Sequence, residues 1–384
     1  MRLELLPDLG EALMETGEFA WAEVFIDDAV EGALEVGDER LHSRAVLTRL
    51  LVRHHIATDL GAWGSEVLQT TEELIPKLET QGSDAELASA WRMVAFVHAA
   101  ACRWETAAAA GRNALEHARL AHDRRFEARQ SGAYSQALCD SPTPVHAAIA
   151  ACEEMLARDL GHKQSEAMIL NSLACLLGLD GDFDRARDAY REARSTLLDL
   201  GANVLAASTS FMLARVELLA GAPEAAEQDL RQDYERLEAM GEVFFRPSIG
   251  AMLAHALYAQ GRLDEAEALA LEAQQFAGED DIEVDSLCRS VRAKVLAERG
   301  QFAEAVALAE EAVAVIPRVE ALLMRTDALI DLSEVHRATG NTERARTALE
   351  EARDLAARKE MAVPLARVEE LLDGLSREAA QPVI

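Results

Sequence analysis

The sequence predicts an all-α, right-handed α-solenoid of about nine helix pairs with a period of roughly 40 residues, followed by a C-terminal capping helix. Three observations lead to this prediction. A short motif recurs at even spacing, the segments between its copies have helical periodicity, and only 5% of the residues are aromatic in a chain that is 50% hydrophobic. Close-packed helices suit such a composition better than sheets, which favour aromatic and β-branched side chains.

The recurring motif is a glycine with an apolar residue two positions later and an alanine five positions later. It is clearest at five glycines that follow one another at nearly even steps: Gly181, Gly221, Gly261, Gly300 and Gly340. Weaker copies place earlier turns near residues 17, 61, 102 and 142. A period of this length indicates stacked supersecondary units that share one continuous core.

Small residues at fixed positions explain how two helices fit around each turn. An alanine follows the turn by five residues, as at Ala186 and Ala226, and a small residue precedes it by seven, as at Ala174 and Ala214. Small side chains let helices approach closely, and glycine ends the first helix in the left-handed conformation. Each repeat is therefore predicted to be two antiparallel helices of roughly 15 to 17 residues.

The two ends of the array are predicted to differ from its middle. An amphipathic segment from about 360 to 375 predicts a helix that caps the last repeat, so that 1–375 form a single superhelical domain and 376–384 a flexible tail. No such cap precedes the first helix. We therefore expect apolar surface at the N-terminal end, from Leu5, Leu9 and Leu13.

The motif resembles the tetratricopeptide signature. The resemblance is carried by Leu9-Gly10 with Gly17, Phe19 and Ala22, by Leu173-Ala174 with Gly181, Phe183 and Ala186, and by Pro317, which matches the closing proline of that family. The predicted period is longer than the usual tetratricopeptide period of about 34.

Repeats of this length are similar to the C-terminal arms of actinobacterial-type signal-transduction ATPases, adenylate/guanylate cyclases and maltose-activator-like regulators. The segments that resemble these arms begin at Arg2, at Arg292 and at Asp327. The resemblance implies a regulatory arm. Because the sequence has no GxxxxGK[ST] motif, the ATPase is not expected on this chain, and Met1 is either the start of a free-standing arm or a break in a longer reading frame.

Composition excludes several classes of partner and site. With 38 Lys and Arg against 68 Asp and Glu, the net charge is −30, which argues against nucleic acid or an anionic membrane as the partner. No HExxH, GxSxG or GxGxxG motif occurs, so we expect no enzyme activity, no metal and no cofactor. The five cysteines are dispersed, and no signal peptide or membrane-spanning stretch is apparent, so we expect buried thiols in a cytoplasmic protein.

The concave side of the predicted solenoid is the candidate binding groove. Its exposed positions should fall thirteen, ten, six and three residues before each turn, which places Arg215, His255 and Lys294 in one basic row. The full set of candidate groove-binding residues is Arg92, Asn171, Arg215, His255, Tyr258, Lys294 and Arg337. The basic row has two interpretations: it binds an anionic ligand, or its cations pair with carboxylates of neighbouring helices.

Two classes of function follow. The first is a scaffold or regulatory arm in a bacterial signalling or transcription-regulatory system, which binds a protein or an acidic peptide segment in the groove. An upstream ATPase or cyclase module, or a second copy at the N-terminal repeat, would be a further partner. The alternative is a sensor arm for a sugar, a metabolite or a nucleotide.

Overall fold

The computed structural model describes residues 3–15, 18–56, 60–277, 281–317 and 320–380. Within these ranges the chain folds into α-helices that follow one another in pairs, and no strand occurs. The predicted all-α fold is confirmed.

The helices of the described ranges form nine pairs and one final helix. A 3₁₀ turn at Leu3–Leu5 precedes the first pair. The pairs are α1 (Leu6–Glu15) with α2 (Phe19–Val36), α3 (Glu39–Ile56) with α4 (Leu60–Gln81), α5 (Asp84–Ala100) with α6 (Trp104–Leu120), α7 (Arg124–Asp140) with α8 (Val145–Ala157), α9 (Lys163–Asp180) with α10 (Phe183–Asp199), α11 (Asn203–Ser208) and α12 (Ser210–Leu219) with α13 (Pro223–Ala239), α14 (Arg246–Ala259) with α15 (Leu263–Phe276), α16 (Ile282–Glu298) with α17 (Phe302–Ala314), and α18 (Leu322–Ala338) with α19 (Thr342–Lys359). The final helix is α20 (Ala362–Ala380).

The predicted left-handed glycines are confirmed at the turns inside the later pairs. The φ angle is +95° at Gly181 and between +73° and +77° at the four that follow, Gly221, Gly261, Gly300 and Gly340. Cys102 takes the same conformation, with φ +51°, at the turn where the motif lacks its glycine. Gly61, by contrast, already lies inside α4, and the turn predicted near residue 17 lies outside the described residues.

A second set of left-handed glycines ends the second helix of several pairs. Gly161, Gly201 and Gly241 have φ angles of +75°, +72° and +68°. Each lies midway between two turns of the motif, so left-handed turns alternate between the two ends of the helices in this part of the chain. The predicted motif did not include this set, although the glycines are plain in the sequence.

The small residues of the motif lie where the helices of a pair meet. Ala186, Ala226 and Ala266 are all completely buried, and Ala305 and Ala345 repeat the pattern in the last two pairs. Burial without a gap between helices requires the short side chain, since a larger one would push the helix axes apart. The predicted role of these alanines is confirmed.

The chain divides into two compact units, which are Met1–Ala100 with Thr106–Gln130 and Ala101–Glu105 with Ser131–Ile384. Unit 1 has a core of aliphatic residues that includes Leu47, Leu78 and Leu87. The even repeat pattern of the sequence carries no sign of this division.

The N-terminal end of unit 1 exposes part of the apolar surface that was expected there. Leu5 is 60% exposed and Leu9 is 40% exposed. Leu13 is an exception, because it packs against Ala22 and Ile26 and is partly buried.

In unit 2, α20 covers the last repeat with its apolar side. Val368 and Leu375 are buried in the same core cluster as α18 and α19. The helix runs to Ala380, so residues 376–380, which were assigned to a flexible tail, are helical, while 381–384 lie outside the described residues. α20 also packs against α9: a side chain at Gly181 would meet Val363 at 3.3 Å.

Lys359, at the end of α19, ties the last repeat to the first residues of unit 2. Its side chain is fully buried, and its ammonium group donates hydrogen bonds to the carbonyl oxygens of Leu138, Ser141 and Thr143 at 2.9, 2.6 and 3.1 Å. Helix pairs that are five repeats apart in sequence are therefore in contact, and unit 2 closes on itself.

A one-residue interruption at Thr209 separates α11 from α12. The hydroxyls of Ser208, Thr209 and Ser210 each donate to a backbone carbonyl three residues earlier. Such bonds compete with the helical ladder and bend a helix. Arg215 lies on α12, after this interruption.

Candidate functional site

The three residues of the predicted basic row lie on the first helices of successive pairs in unit 2. Arg215 is on α12, His255 is on α14 and Lys294 is on α16. They do not form an exposed floor, because Arg215 is only 7% exposed and Lys294 only 2%. The expectation of an accessible basic row is therefore wrong. The cations instead pair with carboxylates, as in the second interpretation.

Lys294 is held by groups from the helices on both sides of α16. Its ammonium donates to Oδ1 of Asp331 at 2.7 Å, lies 3.2 Å from Nε2 of His255, and sits 4.5 Å from the centre of the Tyr258 ring. The Tyr258 hydroxyl donates in turn to Glu334. The ring of the candidate residue Tyr258 therefore packs against the Lys294–Asp331 ion pair.

His255 stays neutral in this arrangement. Burial, followed by the charge of Lys294, lowers its pKa well below the usual 6.5. A neutral imidazole can accept from the ammonium group, whereas a charged one would be repelled by it. Protonation of His255 is therefore not expected to strengthen anion binding below about pH 6.5.

Arg215 lies among acidic residues that come from helices distant in sequence. Its Nη1 donates to Oδ2 of Asp327 at 3.2 Å, and its Nη2 is 3.9 Å from Oε1 of Glu283. The guanidinium carbon is 5.6 Å from the centre of the Phe211 ring. The two contacts with carboxyl groups use Nη1 and Nη2 of the guanidinium group and do not involve Nε.

The carboxyl groups around Arg215 have raised pKa values. Burial, followed by the charge of Asp140, raises the pKa of Glu283 to about 8. Burial also raises the pKa of Asp327, to about 6, and that of Asp140. The side chains of Glu283 and Asp327 are nevertheless 30% and 33% accessible to solvent. They therefore line an opening into a poorly solvated region.

Three polar atoms in this region are buried without a hydrogen-bond partner among the described residues. They are Oδ1 of Asn171, Oδ1 of Asp140 and Nε of Arg215. Each of these side chains is 6% or 7% exposed. Asn171 lies one helical turn before Cys175 on α9, and the charges of Arg215 and Asp140 both act on the Cys175 thiol.

We refer to five residues as the inner cluster. They are Asp140, Asn171, Arg215, Glu283 and Asp327. Sequence analysis identified Asn171 and Arg215 as candidates and missed the three acids. Asp327 had a signal, since it stands thirteen residues before Gly340 and hence on the predicted concave stripe. Asp140 and Glu283 had none.

The other two candidates lie elsewhere. Arg92 belongs to unit 1, where its guanidinium carbon is 5.2 Å from the centre of the Phe126 ring, and burial lowers its pKa. Arg337 is exposed and lies 3.8 Å from the carboxylate of Glu378 on α20. A binding role for these two residues stays a prediction.

The five cysteines are all buried free thiols, as the sequence predicts. Burial raises the pKa of Cys152 and of Cys288 to about 12, which leaves little reactive thiolate near neutral pH.

Neither a metal centre nor a membrane span is present in the part of the chain that the structure describes. It contains no group of three His, Cys, Asp or Glu side chains placed to hold a metal ion. No helix among the described residues has both the length and the apolar character needed to cross a membrane.

Comparison with known proteins supports the repeat assignment. The family model described as tetratricopeptide repeat matches residues 247–272, 286–311 and 327–351. No curated protein matches the sequence.

Solved structures of similar fold span nearly the whole chain. The apo form of RapI has a TM-score of 0.59 at 11% identity, over 94% of this chain and 99% of that one. A Rap protein complexed with Competence and Sporulation Factor has a TM-score of 0.51 at 12% identity, over 98% of each chain. Yeast Tom70 has a TM-score of 0.41 at 12% identity, over 98% of this chain and 96% of that one. The chain therefore contains tetratricopeptide repeats and has the helical-repeat fold of the two Rap structures.

Proposed function

We propose that this chain is a non-catalytic tetratricopeptide scaffold or regulatory arm that binds a protein or peptide partner on the concave side of its helix pairs, within a bacterial signalling or transcription-regulatory system. The observation that supports a binding role most directly is the solvent access of Glu283 and Asp327. Both carboxyl groups are desolvated enough to raise their pKa, yet about a third of each side chain remains open. Desolvated carboxyl groups of this kind cost folding free energy, so their presence favours a role in binding.

We propose a partner segment whose charge is opposite to that expected from the sequence. An acidic segment was expected from the basic row, but Arg215 and Lys294 are already paired with Asp327 and Asp331. Acidic groups remain in excess around Arg215, so a positively charged group of the partner fits better.

A solved structure of similar fold contains a bound ligand. A Rap protein of similar fold was crystallised complexed with Competence and Sporulation Factor. At 12% identity this likeness supports the architecture of a binding arm and does not identify the partner.

Site-specific photo-crosslinking tests the proposal. A benzoyl-phenylalanine at Tyr258, on the concave side of α14, should crosslink a discrete partner in the cells that produce the protein. Phe244, which is 75% exposed in the loop between α13 and α14, is the matched aromatic control. A crosslink from Phe244 alone, or none from Tyr258, would contradict a partner on the concave side.

A second candidate function is a sensor arm for a small molecule. The unpartnered atoms of Asn171, Asp140 and Arg215 favour it, because buried polar atoms without partners are costly unless something satisfies them.

A further inference from the structure

We infer that the inner cluster is a binding site for the ammonium group of a small organic cation. The inference goes beyond the proposed partner binding, since it concerns a ligand that enters unit 2 itself. It rests on the charge balance of the cluster, on its unpartnered acceptors and on its opening to solvent.

The charge balance favours a cation. The carboxyl groups of Asp140, Asp281 and Asp327 all act on that of Glu283. The charges of Arg215 and Lys359 act on Asp140 in the opposite sense. The ammonium group of Lys359 is bonded to three backbone carbonyls, whereas Arg215 contacts Glu283 and Asp327 directly.

Two further charges act on Asp327, those of Asp331 on α18 and Arg367 on α20. Asp331 is already paired with Lys294, so Arg367 is the one to weigh. It is exposed to solvent, which weakens its effect. Burial raises the pKa of both Glu283 and Asp140, which disfavours their ionised forms when no ligand is bound. An added ammonium would favour their ionised forms.

The hydrogen-bonding groups also match an ammonium. Oδ1 of Asn171 and Oδ1 of Asp140 are acceptors that have no donor, and an ammonium offers three N–H groups. Nε of Arg215 is a donor without an acceptor, so a ligand that carries an oxygen near its ammonium would add one further bond.

Access is provided by the two acidic side chains that stay open. Glu283 and Asp327 are 30% and 33% accessible, whereas Asn171 and Asp140 are each only 6% exposed. A small cation would meet the open carboxyls first and the buried acceptors behind them. An anion would meet excess negative charge at the opening.

Isothermal titration calorimetry with putrescine tests the site, and succinate, which has the same four-carbon length but opposite charge, is the matched control. Putrescine should bind saturably, and succinate should not. Asp140→Asn and Asn171→Leu should each weaken putrescine binding by about tenfold or more, because the first removes a buried negative charge and the second removes a buried acceptor. Asp188→Asn, at an exposed position on α10, should leave it unchanged.

A second readout does not depend on any variant. Near pH 7.5, bound putrescine should lower the pKa of Glu283 and release up to about one proton. The binding heat should therefore differ between phosphate and HEPES buffers, which have different ionisation enthalpies.

The source of the ammonium is tested with N-acetyl-Gly-Lys-Gly-amide, which presents a lysine side chain, and with free L-lysine. Binding of the peptide would assign the ammonium to a protein side chain, and binding of only the free amines would assign it to a metabolite.

Circular dichroism must show that both cluster variants are folded. Absence of binding by all three amines, binding of succinate, or putrescine binding that is equal in the wild type and a folded Asn171→Leu variant would overturn the inference.

Discussion

Replacement of Lys359 by methionine should open unit 2 at the point where it closes on itself. The ammonium group bonds to one carbonyl in the last turn of α7 and to two in the segment between α7 and α8. The carbonyl of Leu138 depends on it most, because the residue four positions later is Pro142, which has no N–H to donate. Methionine keeps the apolar stem and leaves these acceptors without a donor.

The expected loss is about 3–5 kcal/mol of unfolding free energy, because a hydrogen bond to a charged group contributes about 1.5–3 kcal/mol and the three bonds share one ammonium, so they do not add fully. Because the Lys359 side chain is completely buried, bulk water cannot easily reach the three carbonyl oxygens in the variant to replace the lost hydrogen bonds.

Urea unfolding followed by circular dichroism measures the loss, and hydrogen exchange of residues 138–145 locates it. Lys163→Met is the control, since Lys163 is exposed and pairs with Glu166 on the same helix. It should leave the midpoint unchanged. A loss below about 1 kcal/mol for Lys359→Met, or unchanged exchange at 138–145, would refute the assigned role.

Three further outcomes are expected. Glu360→Gly should stabilise the chain by about 0.5–1 kcal/mol in urea unfolding, because the exposed Glu360 has φ +58°, a conformation that glycine adopts without strain; an unchanged midpoint would contradict this. Ala266→Leu should cost about 1–3 kcal/mol by overpacking, whereas Ala268→Leu on the exposed side of the same helix should not, and equal melting temperatures would contradict the close contact. Glu283→Gln should become more stable relative to the wild type as pH rises from 5 to 8. The folded pKa of Glu283, about 8, exceeds the usual 4.5, so the native wild type binds more protons than its unfolded state in this range and loses stability as pH rises. Melting curves with a pH-independent difference would show that Glu283 is not desolvated.

The sequence by itself determined the repeat, its turns and the close contact of paired helices. Gly181 and Ala186 illustrate why. A left-handed turn needs a residue without a Cβ, and a close helix contact needs a small side chain, so both requirements fall on single residues within one repeat. The same local logic placed Arg215 and Lys294 at equivalent positions on the first helices of their pairs.

Only the tertiary structure decided what those residues meet there. Arg215 pairs with Asp327, which lies 112 residues later, and Lys359 bonds to Ser141, which lies 218 residues earlier. These contacts depend on how far each pair rotates against the next, summed over three repeats for the first contact and five for the second. That rotation arises from side-chain packing across every interface, so no spacing of residues along the chain reveals that unit 2 closes and buries its own charges.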